Sequence, residues 1–171
     1  MTSASDSAAS VRRAEHRDLA RITEIYNHYI ETTAITFDLK PYALEEREPW
    51  FAQFAASGRH QLFVSERAGQ VVGYAGSMQY RPKAAYETSV EVTIYVAPDE
   101  RAFGVGPRMY HALFAALRGE DVHRALAGIT LPNDASLRMH QRFGFALVGV
   151  YHEVGRKFGR YWDVGWYEKR L

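Results

Sequence analysis

An isolated carboxylate in an apolar strand is the first candidate for chemistry in this sequence. Glu91 lies in the segment SVEVTIYV (residues 89–96). Alternation along a strand places it on one face with Thr93 and Tyr95, while the other face is apolar. A carboxylate there costs free energy unless it is exposed or takes part in chemistry. Glu91 is therefore a candidate general base, and a solvent-facing glutamate on an edge strand is the alternative.

A glycine-rich corner follows directly, in the segment RAFGVG (residues 101–106). It precedes a helical pattern, and the first amides of a helix are unpaired donors at the positive end of its dipole. Glycines allow the backbone to approach a ligand closely. The corner predicts an anion-binding site, with a plain tight turn as the alternative. A dinucleotide-binding fingerprint would need glycine at Met109, and a P-loop would need Gly-Lys-Ser/Thr where the chain has Gly106-Pro107-Arg108.

Several other chemistries lack their residues. The chain has no cysteine, which excludes disulfides, thiolate metal sites and a cysteine nucleophile. It has no Gly-x-Ser-x-Gly segment, and its seven histidines lack the spacing of a His-Glu-x-x-His zinc site. We therefore expect no metal and no covalent enzyme intermediate.

Composition predicts one globular domain over residues 10–171, after a tail of residues 1–9 that is expected to be disordered. The formal net charge of +1 gives no reason to expect nucleic acid or an anionic membrane as partner. The segment MTSASDSAAS has no apolar stretch typical of a signal peptide, and no apolar run is long enough to span a bilayer. We expect a cytoplasmic protein.

The hydrophobic pattern alternates between strand and helix periodicities and predicts an α/β fold with three layers. A strand in SVRRA leads to a helix, LARITEIYNHYIETT, capped by Asp18, and a second helix lies in YALEEREPWFAQFAAS, interrupted by Pro49. A hairpin turns at AGQ. The later elements are the strand of Glu91, the helix after the glycine corner, the strand RALAGITL, the helix NDASLRMHQRF, and strands around ALVGVYHEV and YWDVGWYEKRL.

Four segments in order resemble one known family over nearly the whole chain. The corner RAFGVG resembles the acetyl-CoA loop of the GCN5-related N-acetyltransferases (GNAT), Arg/Gln-x-x-Gly-x-Gly/Ala, and LPNDASLRMHQRFGF resembles their second motif. The segments IYNHYIETTAITF, VEVTIYVAP, NDASLRMH and GRKFGRYWDVGW are similar to the phosphinothricin and methionine sulfoximine acetyltransferase branch. The resemblance implies a three-layer α/β/α fold around a mixed, mostly antiparallel sheet. It also implies a homodimer.

The resemblance implies a binding path for acetyl-CoA. The amides from Gly104 to Met109, with the charge of Arg101, would hold the pyrophosphate at the helix N-terminus. The main chain at the end of the strand and the start of the next helix would hold the pantetheine arm. The implied cofactor residues are Val96, Ala97, Pro98, Arg101, Gly104, Val105, Gly106, Pro107, Arg108, Met109, Asn133 and Ser136.

The resemblance also assigns catalytic roles. Glu91 would take the proton of the attacking amine, through a water molecule, and no covalent nucleophile is needed because the amine itself attacks. His140 stands where the branch has a histidine, and it could accept the amine proton or assist the leaving sulfur. A buried histidine bonded to a carbonyl is the alternative, and the choice of principal base between Glu91 and His140 stays open.

The expected acceptor is an amino-acid-like amine, whose carboxylate would need a cationic partner. Lys83 and Arg81 precede the strand of Glu91, and a plain surface residue is the alternative for Lys83. The implied substrate-binding residues are Phe37, Lys83, Ala84, Ala85, Tyr86, Thr93, Ile94 and Tyr95. Two other functions stay open: acetylation of protein N-termini or polyamines, and a catalytically silent acyl-CoA-binding module. An open acidic pocket would favour the first of these, and a small pocket with a cation would favour amino acids.

Overall fold

The computed structural model describes residues 9–171, except for the side chains of residues 101–103. Most of the predicted disordered tail therefore lies outside the described residues. The strands are β1 Ser10–Arg13, β2 Leu62–Arg67, β3 Gln70–Gln79, β4 Ser89–Val96, β5 Arg124–Leu131, β6 Ala146–Lys157 and β7 Arg160–Arg170. The helices are α1 Leu19–Thr32, α2 Leu44–Phe51, α3 Val105–Leu117 and α4 Asp134–Arg142. Short 3₁₀ helices span His16–Asp18, Ala84–Tyr86 and Pro98–Phe103.

All the strands belong to one sheet with the order β1-β2-β3-β4-β5-β7-β6. Every neighbouring pair is antiparallel except β4 and β5, which are parallel. The β4–β5 pairing covers only three residue pairs, from Ser89–Arg124 to Glu91–Leu126. Both strands run on for five residues after it, to Val96 and Leu131. The sheet therefore opens between its two central strands, which separates it into a four-stranded and a three-stranded half.

Helices cover both faces of the sheet, as predicted. On one face, Val90 and Val92 pack with α3 residues such as Met109 and Leu113 in the larger core. On the other face, Ile22 and Ile25 of α1 pack with Val64 and other residues of β2 and β3. The three-layer α/β/α fold and the mixed, mostly antiparallel sheet predicted from the sequence are confirmed.

Two local predictions are wrong in detail. Asp18 precedes α1, but its side chain makes no capping bond there. Its carboxylate instead accepts hydrogen bonds from the Arg12 guanidinium, at 2.7 and 2.8 Å, and from the Glu15 amide at 2.8 Å. The second helix is also shorter than predicted: it ends at Phe51 and includes Pro49 in its last turn.

Within residues 9–171, no helix is long and apolar enough to cross a bilayer. The cytoplasmic location stays a prediction.

Candidate active site

Three neighbouring cavities lie where the central strands diverge. The smallest, about 60 Å³, is the wedge between β4 residues 92–95 and β5 residues 127–130. A cavity of about 260 Å³, here the α3 cavity, borders it on the side of Gly106 and Pro107. A large cavity of about 670 Å³ borders it on the side of Glu91. Ile35 and Tyr95 line all three. The three cavities therefore lie in a row, here the passage, from the glycine corner to Glu91.

Glu91 lies in the wall of the large cavity. Because β4 is flanked by β3 and β5, it is not on an edge strand, and the solvent-facing alternative does not hold. The side chain is partly buried and makes no hydrogen bond to another described residue. Burial raises the pKa of Glu91, and the positive charge of Arg81 opposes that shift. A carboxyl with a raised pKa and no bonding partner is a suitable proton acceptor.

The glycine corner has the backbone geometry of an anion site. Gly104 adopts the left-handed conformation at φ +66°, which only glycine and a few polar residues adopt readily, and α3 begins at the next residue. In a helix that starts at Val105, the amides of Arg108 and Met109 bond to carbonyls one turn earlier, and Pro107 has no N–H. The free donors are therefore the amides of Gly104, Val105 and Gly106, a shorter set than predicted.

The remaining residues around the glycine corner differ in whether their side chains are available to a ligand. The side chain of Arg101 lies outside the described residues. Arg108 donates a hydrogen bond to the carbonyl of Ala9 at 2.9 Å, and the Met109 side chain is fully buried in the core. Gly106 faces the α3 cavity, and a β-carbon at this position would lie 3.1 Å from Met139 Sδ. Glycine thus allows close packing of α3 against α4, and a β-carbon there would require the Met139 side chain to shift.

The end of β4 is tied to its neighbours through the main chain. The Tyr29 hydroxyl donates to the Val96 carbonyl at 2.6 Å, and the Ala97 amide donates to the Val72 carbonyl at 2.8 Å. Pro98 then begins a 3₁₀ helix. Val96 lines the α3 cavity, so that this segment borders the passage even though part of its hydrogen-bonding capacity is used.

Helix α4 contributes polar groups to the wedge. Asn133 caps the helix by accepting a hydrogen bond from the Ser136 amide at 3.2 Å, and both residues also line the α3 cavity. His140 is buried, with Nδ1 2.8 Å from the Ser136 carbonyl and Nε2 2.9 Å from the Tyr110 hydroxyl. These partners assign the proton to Nδ1, which donates to the carbonyl, and leave Nε2 to accept from Tyr110. Burial lowers the pKa of His140, which favours the neutral ring.

The predicted substrate residues are only partly brought together. Phe37, Thr93 and Tyr95 line the large cavity, whereas Ile94 points to the wedge and the α3 cavity. Residues Lys83 to Tyr86 lie outside the cavity walls: Lys83 precedes an exposed 3₁₀ helix formed by Ala84, Ala85 and Tyr86. Arg81 lines the large cavity instead of Lys83. Strand β7 also contributes to the wall of the large cavity, through Val164 and Trp166.

The loop that carries Phe37 is held by residues that the sequence analysis did not identify. Lys157 is buried and donates from Nζ to the Thr36 carbonyl at 2.8 Å. The Phe37 ring packs against Gly155 so closely that any β-carbon at this position would collide with it. Glycine at residue 155 is therefore a packing requirement of the cavity wall.

A second missed group forms the wall beside α2. The Arg47 guanidinium stacks over the rings of Trp50, Tyr26 and Tyr42, with 3.8, 4.7 and 5.4 Å to the ring centroids. All four residues line the large cavity together with Asp38. The sequence held a signal, because Arg47 has the helical spacing of Leu44 and Phe51 and so lies on the face of α2 that carries its apolar residues.

Comparison with known proteins identifies the class. The family described as acetyltransferase (GNAT) domain matches residues 11–166. The chain therefore belongs to the GNAT acetyltransferases, as the motifs indicated.

Relatives narrow the class to one branch. The chain is 53% identical over 163 residues to a phosphinothricin N-acetyltransferase of Streptomyces coelicolor, covering 94% of this chain and 95% of that protein. It is 35% identical over 164 residues to an L-methionine sulfoximine/L-methionine sulfone acetyltransferase of Pseudomonas aeruginosa, covering 96% and 95%. A phosphinothricin acetyltransferase from Sinorhizobium meliloti, crystallised with acetyl-CoA, superposes with a TM-score of 0.90 at 28% identity, covering 96% of this chain and 89% of that chain.

Proposed function

We propose that the protein transfers the acetyl group of acetyl-CoA to the α-amine of a small amino acid or analogue of the phosphinothricin, methionine sulfoximine or methionine sulfone type. The observation that carries the proposal is the row of neighbouring cavities from the glycine corner through the wedge to Glu91. A long thioester could approach along the α3 cavity and an amine through the large cavity. The names of the relatives support the same acceptor class.

The residues on the α3 side fit acetyl-CoA, which supplies the activated acetyl thioester. The free amides of Gly104, Val105 and Gly106 would bind a pyrophosphate at the N-terminus of α3. The unpaired edges of β4 and β5 in the wedge would bind the amide groups of a pantetheine arm, alongside Asn133. These two contacts would leave the thioester at the Glu91 side of the passage.

Glu91 is proposed as the general base. The amine of an amino acid is protonated near neutral pH and cannot attack until it loses a proton. The raised pKa of Glu91 makes its carboxylate a stronger base than an ordinary glutamate. Direct transfer then forms the new C–N bond and releases the thiol, with no acetylated enzyme.

His140 is proposed to act at the leaving group. It lines the wedge together with Tyr110, and the two side chains are hydrogen-bonded to each other. A neutral imidazole whose Nε2 already accepts from a hydroxyl is a poor acceptor for a second proton. The pair is better placed to stabilise or protonate the departing thiolate, which leaves the role of amine base to Glu91.

The charges of the large cavity favour an amino acid over a protein N-terminus or a polyamine. Its walls carry two cations, Arg47 and Arg81, in addition to the acids Asp38 and Glu91. A polyamine, which is purely cationic, could pair with the two acids but has no group that could pair with either arginine. An amino acid brings a carboxylate for one of them.

The test is an acceptor panel with acetyl-CoA, followed by thiol release. The panel contains phosphinothricin, methionine sulfoximine and methionine sulfone, with a short peptide and spermidine as the competing classes. We expect the three amino-acid analogues to be acetylated with the highest kcat/KM. Activity on the peptide or spermidine alone would contradict the proposed acceptor, and acetyl-CoA binding without turnover on any amine would support the silent binding module.

We further propose that the protein is a homodimer. The edge strand β6, its turn and the start of β7 expose apolar side chains that are each more than half accessible: Leu147, Val148, Tyr151, Val154, Phe158 and Tyr161. Exposed apolar patches of this kind mark interaction sites. Light scattering should give twice the chain mass of 19.5 kDa for the wild type. The variant Val148→Asp should give the single mass, and a wild type that stays monomeric at micromolar concentration would contradict the dimer.

A further inference from the structure

Arg47 is a buried cation without a partner in the wall of the large cavity. Its residue exposure is only 6%, and its Nε is buried with no hydrogen-bond partner. Within residues 9–171 the guanidinium makes no hydrogen bond or ion pair. A guanidinium carries five N–H donors, and burial of such a group is costly unless it is paired.

The groups around Arg47 hold its side chain in position but do not accept hydrogen bonds from its guanidinium. Aromatic faces attract a cation through their quadrupoles but accept none of its N–H donors in the plane of the guanidinium. Asp38, the acid that shares this wall, accepts a hydrogen bond from the Tyr26 hydroxyl at 2.6 Å and forms no ion pair with Arg47 among the described residues. The wall therefore holds a rigid, oriented cation whose hydrogen bonds are left for a ligand.

Arg47 is distinct from the cation next to the base. Arg81 follows Tyr80 at the end of β3, and its charge acts on Glu91. Arg47 belongs to α2 and stacks on Trp50, whose Nε1 lies 3.2 Å from Met78 Sδ, and Met78 pairs with Glu91. An acceptor with its amine at Glu91 carries its α-carboxylate one carbon away, where Arg81 would pair with it. The end of its side chain would then be left for Arg47, the other cation in the wall of the cavity.

We infer that Arg47 is the specificity-determining residue that binds an oxygen-bearing terminal group of the acceptor side chain, such as a phosphinate or a sulfone. This inference rests on the proposed function. A planar fork of N–H donors suits two oxygens on one phosphorus or sulfur atom. A plain thioether or methyl terminus offers no acceptor of comparable strength and would leave Arg47 unpaired.

The test compares two acceptors that differ only in those oxygens, methionine sulfone and methionine. The ratio of their kcat/KM values is measured by thiol release in the wild type, in Arg47→Gln and in Arg47→Lys. Loss of a hydrogen bond to a charged group should reduce the wild-type preference for the sulfone by about 10- to 100-fold in Arg47→Gln. Arg47→Lys keeps the charge without the fork and should retain part of the preference, and phosphinothricin should behave like the sulfone.

Three outcomes separate the possibilities. A wild type that acetylates both acceptors, together with an unchanged ratio in both variants, overturns the inference and leaves the proposed function standing, since Arg47 would then only support the wall. A wild type inert toward every amino acid overturns the proposed function and the inference with it. If Arg47→Gln is insoluble, the ratio in Arg47→Lys decides, because the lysine stem preserves the stacking. Thermal melts of each variant identify losses that come from unfolding.

Discussion

Glu91 combines a raised pKa with a position at the end of the passage, and no described residue bonds to its carboxylate. An internal glutamate without a bonding partner reduces stability, and such groups persist where a reaction needs them. The proposed chemistry depends most on Glu91, and a substitution of this residue tests the proposal directly.

The variant Glu91→Gln should lose turnover while keeping acetyl-CoA affinity. Glutamine preserves size and hydrogen bonding but not basicity, so we expect kcat to fall by about 10² to 10⁴. The dissociation constant for acetyl-CoA should stay unchanged, because the α3 amides are a separate set of groups. The matched control is Glu87→Gln, an exposed glutamate on the approach to the same strand, which should retain full turnover.

The pH profile gives an independent check on Glu91. Because burial raises its pKa, the acid limb of kcat/KM should lie at higher pH than for an ordinary glutamate, and activity should rise with pH across that limb. In Glu91→Gln this limb should be absent or shifted. Near wild-type turnover with an unaltered profile would assign the base elsewhere, and His140→Asn would then be the next variant to assay.

At the scale of elements, the contact between α3 and α4 predicts acid sensitivity. His140 is neutral in this contact because burial lowers its pKa. The unfolded chain binds a proton at about pH 6.5 while the folded protein does not, so stability falls as pH drops below that value, until the folded-state pKa is reached.

Melting temperatures of the wild type and His140→Asn measure this effect. The difference in unfolding free energy between the two proteins should be largest above pH 6.5. Below that pH it should narrow by up to about 1.4 kcal/mol per pH unit. That corresponds to roughly 3–5 °C per pH unit for a domain of this size. His123→Asn, an exposed histidine before β5, is the control and should show no such narrowing. A constant difference down to pH 5 would mean that His140 is protonated in the folded state.

The corner between the 3₁₀ helix and α3 offers a second test, because Gly104 is held at positive φ with open space around its Cα. Gly104→Ala should lose about 1–2 kcal/mol of stability and should bind acetyl-CoA more weakly, since the corner must adopt another conformation. Gly104→Asn should lose less stability and less acetyl-CoA affinity, because asparagine tolerates the left-handed region. Weakened stability with unchanged affinity by calorimetry would remove the corner from the cofactor site.

Helices and strands were predictable where a local sequence pattern determines them. The parts of the site that depend on contacts between distant segments were not predictable. The alternation in residues 89–96 and 124–131 predicted β4 and β5 with their observed bounds. Arg47 was missed because one arginine in a short helix has the sequence signature of a solvated charge. The choice between Arg81 and Lys83 depends on where β3 ends and how the following 3₁₀ helix turns, which no local pattern specifies.

At the scale of the whole molecule, the resemblance of four segments predicted the family, but the opening of the sheet could not be derived from any of them. Parallel pairing of β4 and β5 depends on the path of α3 between them and on the antiparallel contact of β5 with β7. Both are long-range arrangements. Together these two arrangements create the opening between β4 and β5 in which the three cavities lie.

The opening also has a mechanical consequence. The two half-sheets are joined by only three residue pairs, at one end of β4 and β5. A ligand lying between β4 and β5 would connect the two strands along the rest of their length. The molecule with acetyl-CoA bound should therefore behave as a single continuous sheet. Amide hydrogen exchange should slow in residues 92–95 and 127–130 when acetyl-CoA is added, while the β1–β2 amides, remote from the opening, should exchange as before.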